Sequence, residues 1–481
     1  MSSLSFDNSY ARDLEGFYLP WKGAEVPAPE IIRLNTLLAD ELGLPVDQLT
    51  AEILTGSRAP EGAAPLAMAY AGHQFGGFSP QLGDGRALLL GEVIDRAGKR
   101  RDIHLKGSGR TPFSRGADGK AVLGPVLREY LMGEAMAGLG IPTTRALAAC
   151  RTGEQVLRDR GPEPGAVLAR IAASHLRVGT FQFFAARREN DRVLRLLDYA
   201  ITRHDPDLAG RPDRALMFFR RVCERQAALI AGWMAVGFVH GVMNTDNMTI
   251  CGETIDYGPC AFIDAHDPAA VYSSIDHQGR YAYGNQPGIA QWNLARLAET
   301  LLAVITPENP EQAVGPVTEI LQEFPDLYRR AWEARFRAKL GLLRQEEGDG
   351  RLAEELLDLL TEHGGDFTRA FRALSDGLQV LEAMIPDRRA VQNWIARWQA
   401  RCEGDNRAET RGDRLRAANP IYIPRNHKVE EALAAANQGD LAPFDQLLAL
   451  VSDPYTAGPN AEGFALPAPS GFGPYRTFCG T

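Results

Sequence analysis

The sequence predicts an α+β fold in which a strand-rich N-terminal part precedes a mainly helical C-terminal part. Two observations carry this expectation. Short apolar or alternating runs bounded by turn residues lie at 87–94, 101–106, 143–150 and 166–172. After residue 175, apolar residues recur with the 3.6-residue period of amphipathic helices.

Taken in order, residues 1–65 read as an N-terminal extension of short helical pieces and loops. Ile31, Ile32, Leu34, Leu37, Leu38 and Leu42 sit at helical spacing, and Gly43 with Pro45 ends that helix. Residues 66–174 read as a β-rich lobe that opens with a Gly- and aromatic-rich stretch ending in Gly83-Asp84-Gly85-Arg86. The strands 87–94 and 101–106 are joined through Asp95-Arg96-Ala97-Gly98. Alternation in the second puts Ile103 and Leu105 on one face and Asp102, His104 and Lys106 on the other. A loop, 107–120, leads to a helix over 121–139 whose stripe contains Leu123, Val126, Leu127, Tyr130 and Leu131. Residues 175–310 read as a helical lobe with long helices over 215–235, ended by Gly237, and 290–305. Residues 311–481 read as a helical extension, broken near 345–351, with a last helix near 428–438 and a Gly-rich tail expected to be mobile.

Composition narrows the function classes. Apolar residues at 45% and charged residues at 23% are ordinary for a globular chain with a sizeable core. A net charge of −9 tilts against nucleic-acid binding, which needs an excess of Lys and Arg. No apolar run is long enough to span a membrane, and the first residues lack the pattern of a secretory signal, so cytoplasm and a monomer are the default expectations. The six cysteines are scattered without a C-x-x-C pair, which argues against a zinc cluster. Five read as core residues, and Cys479 stands apart in the tail.

The chemistry concentrates in His240-Gly-Val-Met-Asn-Thr-Asp246-Asn247, followed by Asp256-Tyr257-Gly258. Set against the protein-kinase pattern H-R-D-x-x-x-x-N and D-F-G, the His, Asn, second Asp and Gly fall in register. The position of the kinase catalytic Asp holds Val242. Magnesium takes hard oxygen ligands together with phosphate oxygens, a role open to Asn247 and Asp256, which are also common turn residues. Asp246 is the nearest carboxylate to the missing base; it reads as a displaced proton acceptor, an accessory ligand or a loop residue. Lys106 is suited to phosphate charge, with Glu129 the favoured helix partner and Glu134 its rival, or is a solvated strand lysine. Gly83 and Gly85 form half of a phosphate loop or a hairpin turn, and Arg86 adds a planar cation there. Arg170 lies in an apolar strand and needs a carboxylate or a bound phosphate; Arg177 follows at the change to helical pattern.

With these residues assembled, the chain resembles the selenoprotein O family, a pseudokinase-like group. The resemblance runs nearly end to end, through Phe6-Asp-Asn-Ser-Tyr-Ala-Arg12, Tyr70-Ala-Gly-His-Gln-Phe-Gly76, His104-Leu-Lys-Gly-Ser-Gly-Arg-Thr-Pro112, Ser174-His-Leu-Arg-Val-Gly-Thr180 and Asn419-Pro-Ile-Tyr-Ile-Pro-Arg-Asn-His427. It implies a two-lobed protein-kinase-like fold with added termini, and a protein nucleotidyltransferase. Such an enzyme binds ATP inverted relative to a kinase and moves AMP to Ser, Thr or Tyr hydroxyls; some bacterial members are linked to UMP transfer from UTP. By motif, Lys106, Arg86, Arg170 and Arg177 would contact phosphates, and Gly83, Gly85, Asp118 and Gly119 would line the nucleotide. Glu129 would pair with Lys106, Asn247 and Asp256 would hold Mg2+ or Mn2+, with Asp256 also at the nucleotide, and Asp246 would accept the proton. Some family members carry selenocysteine where this chain has Cys479, which suggests redox control with no assigned partner; Cys251 and Cys260 flank the Asp256 loop. Two other readings stand beside this one: an atypical small-molecule phosphotransferase, and a nucleotide-binding scaffold without turnover.

Overall fold

The computed structural model describes residues 4–159, 161–403 and 408–478. Its strands, in chain order, are β1 (Tyr18–Pro20), β2 (Glu30–Leu34), β3 (Leu66–Met68), β4 (Gly72–Gln74), β5 (Gly77–Ser79), β6 (Ala87–Ile94), β7 (Arg100–Lys106), β8 (Ala121–Val122), β9 (Arg145–Arg158), β10 (Gly161–Ala172), β11 (Phe238–Val239) and β12 (Ala261–Phe262). Eight of them form one antiparallel sheet in the order β1-β3-β6-β7-β10-β9-β2, with β8 pairing β10 beside that path. The β6–β7 hairpin closes where the sequence places a turn, because the Asp95 carboxylate accepts the N–H groups of Ala97 and Lys99. The fold is α+β, as expected.

The predicted alternation in β7 sorts its two faces. Ile103 and Leu105 join Leu88, Leu90, Val167, Ala169 and Ile171 in one apolar cluster. Leu38, Leu42, Ile53 and Leu54, from short helices near the N-terminus, close that side. The opposite face, with His104 and Lys106, is covered by the helix Leu123–Gly138, whose predicted stripe enters the larger core. Polar groups on that face therefore lie between sheet and helix, where they must find partners.

The N-terminal reading needs one correction. Ile31, Ile32 and Leu34 belong to β2, which pairs with β9, and the helix is short, Thr36–Glu41. Asn35 ends the strand and starts the helix, its side chain accepting the N–H of Leu38 at 3.0 Å. The β-branched pair fits a pleated edge better than a helix, which the spacing of the leucines concealed. β1 and β2 thus supply both end strands of the sheet, although the residues before 66 read as helix and loop.

Beyond residue 175 the chain is mainly helical. The helix Arg214–Val236 ends at Gly237, whose φ of 73° suits the left-handed cap. Directly after it, β11 pairs with β12 and closes the intervening segment, residues 240–260, into a stitched loop against the sheet. The helix Gln286–Ile305 backs that loop: Gln286 accepts the N–H of His240 at 3.0 Å and Asn293 donates to Met243 O at 2.9 Å. A succession of helices between Glu311 and Ser452 completes the core. Among the described residues, no helix is long and apolar enough to cross a membrane.

The tail departs from its expected mobility up to Phe478. Thr477 donates its hydroxyl to Pro259 O at 2.8 Å, and its N–H to Tyr272 O at 2.8 Å. Cys479 lies outside the described residues.

Candidate active site

Antiparallel register brings the first charges together. β10 pairs with β7 so that Leu168 opposes Lys106 and Arg170 opposes His104. Lys106 and Arg170 therefore emerge on one face, beneath the Leu123–Gly138 helix that carries Glu129. Lys106 Nζ lies 2.6 Å from Glu129 and 2.7 Å from Asp256. Arg170 Nη1 reaches the same two carboxylates at 2.9 and 2.7 Å. Arg177 Nη1 donates to the other Asp256 oxygen at 2.7 Å, and to the backbone carbonyl of Asp246 at 2.6 Å. Three cations and two carboxylates thus form one cluster, with Asp256 at its centre.

Asp256 sits at φ 62°, a conformation uncommon for a residue with a Cβ, and its neighbours hold it there. Burial alone would raise its pKa; Arg170, Lys106 and Arg177 outweigh burial and hold the carboxylate well below its usual range. Burial likewise opposes ionisation of Glu129, and Lys106 and Arg170 prevail there too. Glu134 goes elsewhere. It accepts two hydrogen bonds from Arg145 at 2.9 and 2.7 Å, the N–H of Ala146 at 2.9 Å and the Asn35 amide at 3.0 Å.

The environment of Asp246 is of the opposite kind. It lies in the 3-10 turn Thr245–Asn247, buried, and its Oδ1 has no hydrogen-bond partner among the described residues. A Cβ on Gly72 would come within 2.5 Å of that oxygen, so only glycine lets the β4 backbone approach it. Burial raises its pKa to about 6, against the pull of Arg177. Thr245 fixes the turn by accepting the His73 N–H at 2.7 Å and donating to Gln182 at 2.6 Å. Asp256 and Asp246 are therefore two carboxylates whose surroundings drive their pKa values apart, the arrangement expected of a ligand and a base.

His240 and Val242 hold the loop. The imidazole Nε2 bonds Ile255 O at 2.9 Å, immediately before Asp256, and Trp233 lies against the ring at 5.4 Å between centroids. Asn247 donates its amide N–H to Val242 O at 3.0 Å, which leaves the amide oxygen as its acceptor end. No group of three or more His, Cys, Asp or Glu poised for a metal occurs among the described residues. The Asn247 amide oxygen and the Asp256 carboxylate, which its cations hold ionised, are hard oxygen donors of the kind a magnesium-type ion takes together with phosphate and water ligands.

Over residues 1–452 the chain matches the family model of protein adenylyltransferase SelO. The chain belongs to the SelO family. It is 62% identical over 483 residues to the protein nucleotidyltransferase YdiU of Cereibacter sphaeroides, with 99% of each chain covered. Identity to the Chromobacterium violaceum protein of the same name is 56% over 475 residues, covering 96% of this chain and 99% of the relative. For the Rhizobium etli protein it is 53% over 492 residues, covering 100% and 98%.

The other motif positions shape the loop 107–120 and its packing on β6 and β9. Gly83 takes φ 73°, and a Cβ there would strike the Phe113 ring at 2.4 Å, so the glycines let the 107–120 loop close on β6. Gly85 meets Phe113 O and the Ser114 hydroxyl in the same place, and Arg86 follows, half-buried, with its carbonyl accepting the Gly107 N–H at 2.6 Å. Asp118 pairs with Arg158 at 2.7 Å and caps Lys120 N–H at 2.9 Å; Gly119, at φ 71°, packs on the Gly109 backbone. These contacts fix the loop, and the Asp118 carboxylate is directed to β9. Cys260 is buried with its thiol pushed up to about 11 by burial, and Cys251 to about 12, both characters of inert thiols.

A supporting chain of residues escaped the sequence reading. His104 accepts from Arg170 Nε at 3.2 Å and bonds Asp84 at 3.2 Å, while its ring stacks on His175 at 4.2 Å. His175 in turn bonds Asp102 at 2.9 Å, and Arg203 pairs with Asp102 at 2.5 Å. Tyr70 lies under Arg177 at 4.6 Å. Alternation marked His104 and Asp102 as facing away from the apolar side, but no local signal joins them to partners so distant in the chain.

Proposed function

We propose that this chain transfers AMP from ATP to Ser, Thr or Tyr hydroxyls of proteins, with UMP from UTP as a second donor, in a kinase-like two-lobed frame. Family membership supports the reaction class. The observation that carries it to these residues is the pairing of a cation-saturated Asp256 with the orphaned, burial-raised Asp246.

Lys106, Arg170 and Arg177 bind the nucleotide's phosphates, exchanging their contacts with Asp256 for contacts with phosphate oxygens. Glu129 keeps Lys106 and Arg170 aligned, so that little reorganisation precedes reaction. Asn247 and Asp256 would hold the magnesium or manganese ion, which supplies neutralisation of phosphate charge when bound. Asp246 Oδ1 takes the proton of the acceptor hydroxyl as that oxygen attacks the α-phosphorus and pyrophosphate departs. A pKa near 6 leaves Asp246 ionised at neutral pH and more basic than an ordinary carboxylate, in keeping with general-base work. Val242 is then tolerable, because a nucleotide inverted relative to kinases presents its α-phosphate to a different carboxylate.

The test supplies ATP labelled at the α- or the γ-phosphate and follows label into protein. The proposal expects α-label in protein, lost in Asp246→Asn and Asp256→Ala. Label only from the γ position would identify a phosphotransferase and overturn the reading; binding without either label would identify a scaffold.

A further inference from the structure

Beside Asp246 stands a small hairpin that the transfer chemistry does not use. β4 and β5 pair through Gly72–Ser79, His73–Phe78 and Gln74–Gly77, separate from the main sheet. The hairpin is anchored to the catalytic turn by the His73 N–H on Thr245 and by the Phe75 N–H on Asn244 Oδ1 at 3.1 Å. Its outer side is open: Phe75 is 37% exposed and Phe78 42%.

Two arginines flank this hairpin without a carboxylate. Arg280 lies against Gly76 at the hairpin tip, with its guanidinium 4.8 Å from the Trp292 ring centre and 5.7 Å from that of Tyr281. The acid of its own loop, Asp276, commits both oxygens to the backbone N–H groups of Arg280 and Tyr281, at 2.9 and 2.7 Å. At the hairpin base, Arg187 stacks 3.5 Å over Phe183 and donates to Pro80 O at 3.1 Å and Phe183 O at 2.7 Å. Neither has an ion-pair partner among the described residues, whereas Arg296, also over Trp292 at 5.0 Å, is neutralised by Glu299 at 2.8 Å. Stacked guanidinium groups are held in place while their N–H edges stay available, which suits them to carboxylates of a partner. In a chain of net charge −9 such a patch is a local exception.

We propose that the β4–β5 hairpin with Arg187 and Arg280 is a ledge that binds an acidic segment of the protein substrate and delivers the neighbouring hydroxyl to Asp246. The proposal rests on the transfer reading above and adds the class of polypeptide that is accepted. Exposed Phe75 and Phe78 supply apolar contact along the segment, and the two arginines, one at each end of the hairpin, set its charge. Association depends on ionic strength, since Arg187 is exposed and Arg280 only half-buried.

Fluorescence anisotropy of short labelled peptides on the full-length protein with ATP tests the ledge. The peptides carry one Tyr flanked by Glu, Gln or Lys. The Glu peptide is expected to bind about tenfold tighter than the Lys peptide, with the gap closing as salt rises from about 0.05 to about 0.3 M. Arg280→Gln should reduce that preference to about twofold, and Arg280→Glu should favour the Lys peptide. Arg187→Gln gives an independent reading should the Arg280 loop fold poorly. Equal binding of all three peptides, or a preference unchanged in both Gln variants, overturns the ledge. Incorporation of α-label is followed separately: its absence from every protein acceptor overturns the transfer reading, whereas labelling indifferent to flanking charge overturns the ledge alone.

Discussion

In the proposed reaction, Asp246 is the group that deprotonates the acceptor hydroxyl. Its buried Oδ1 has no donor within hydrogen-bond distance, which is costly to the fold and useful to a base, while the nearby Gln74 amide and Arg177 only partly offset the effect of burial on the carboxyl. Replacing it by Asn removes the basic carboxylate while keeping the shape, so kcat should fall by about 10²–10⁴-fold with ATP affinity nearly unchanged. A base must be ionised, so with a pKa near 6 the wild-type rate should climb from pH 5 to 7 and level off above. Initial rates across that range check both statements, and a flat profile would remove Asp246 from the role. Glu253 offers the matching stability experiment away from the reacting groups. Burial raises its pKa from 4.5 to about 7, so the folded state holds a proton that the unfolded chain has already released between those values. Stability is therefore lost as pH rises from about 4.5 to about 7, and the full penalty remains above it. Glu253→Gln keeps an acceptor for the Ala173 N–H and should stabilise the protein at pH 8 by about 1–3 kcal/mol, with little effect at pH 4. Denaturant titrations at the two pH values measure the difference.

At the scale of elements, the helix Leu123–Gly138 serves two masters with two glutamates one turn and a half apart. Glu129 turns to Lys106 and Arg170; Glu134 ties the helix to β9 through Arg145 and Ala146. Glu134→Ala should cost about 2–3 kcal/mol of stability by stranding buried donors, and leave the rate within about threefold. Glu129→Ala should instead lower activity by more than about tenfold through misplacement of the two cations. Paired unfolding and rate measurements separate the roles, and equal effects from both variants would refute the division. The same helix shows what the sequence could and could not say. Helical period brought both glutamates toward the core, but only the register of β9 says which one meets Arg145. The β7 alternation correctly aimed Lys106 and His104, since a period of two is a local property of the backbone. The partners of His104, namely Asp84, Arg170 and the His175 ring, come from three other segments, and only the folded topology joins them. β2 was hidden for a related reason: a run of Ile and Leu fits helix and edge strand alike until β9 claims it.

Across the whole molecule, the C-terminal tail joins the helix of Glu129 to the loop of Asp256. Arg128, next to Glu129, donates to Cys260 O at 2.6 Å and to the Tyr475 hydroxyl at 3.0 Å, and Tyr475 bonds Glu430 at 2.6 Å. Thr477 then closes on Pro259, three residues from Asp256. The motif around residues 240–258 was legible in sequence, whereas this brace was not, because a Gly- and Pro-rich tail carries no periodic signal for where it docks. If the brace holds the loop, a chain ending at residue 469 should show faster amide exchange over residues 256–262 and a kcat/KM for ATP lower by about fivefold, roughly 1 kcal/mol of positioning. Cys479→Ser with the tail intact, measured under reducing conditions, should match wild type in both, which isolates docking from thiol chemistry. Tyr475→Phe should fall between them, since it keeps the ring against Arg128 and loses the hydroxyl that links Arg128 to Glu430. Unchanged exchange in the shortened chain would show that the loop is held by β11, β12 and His240 alone.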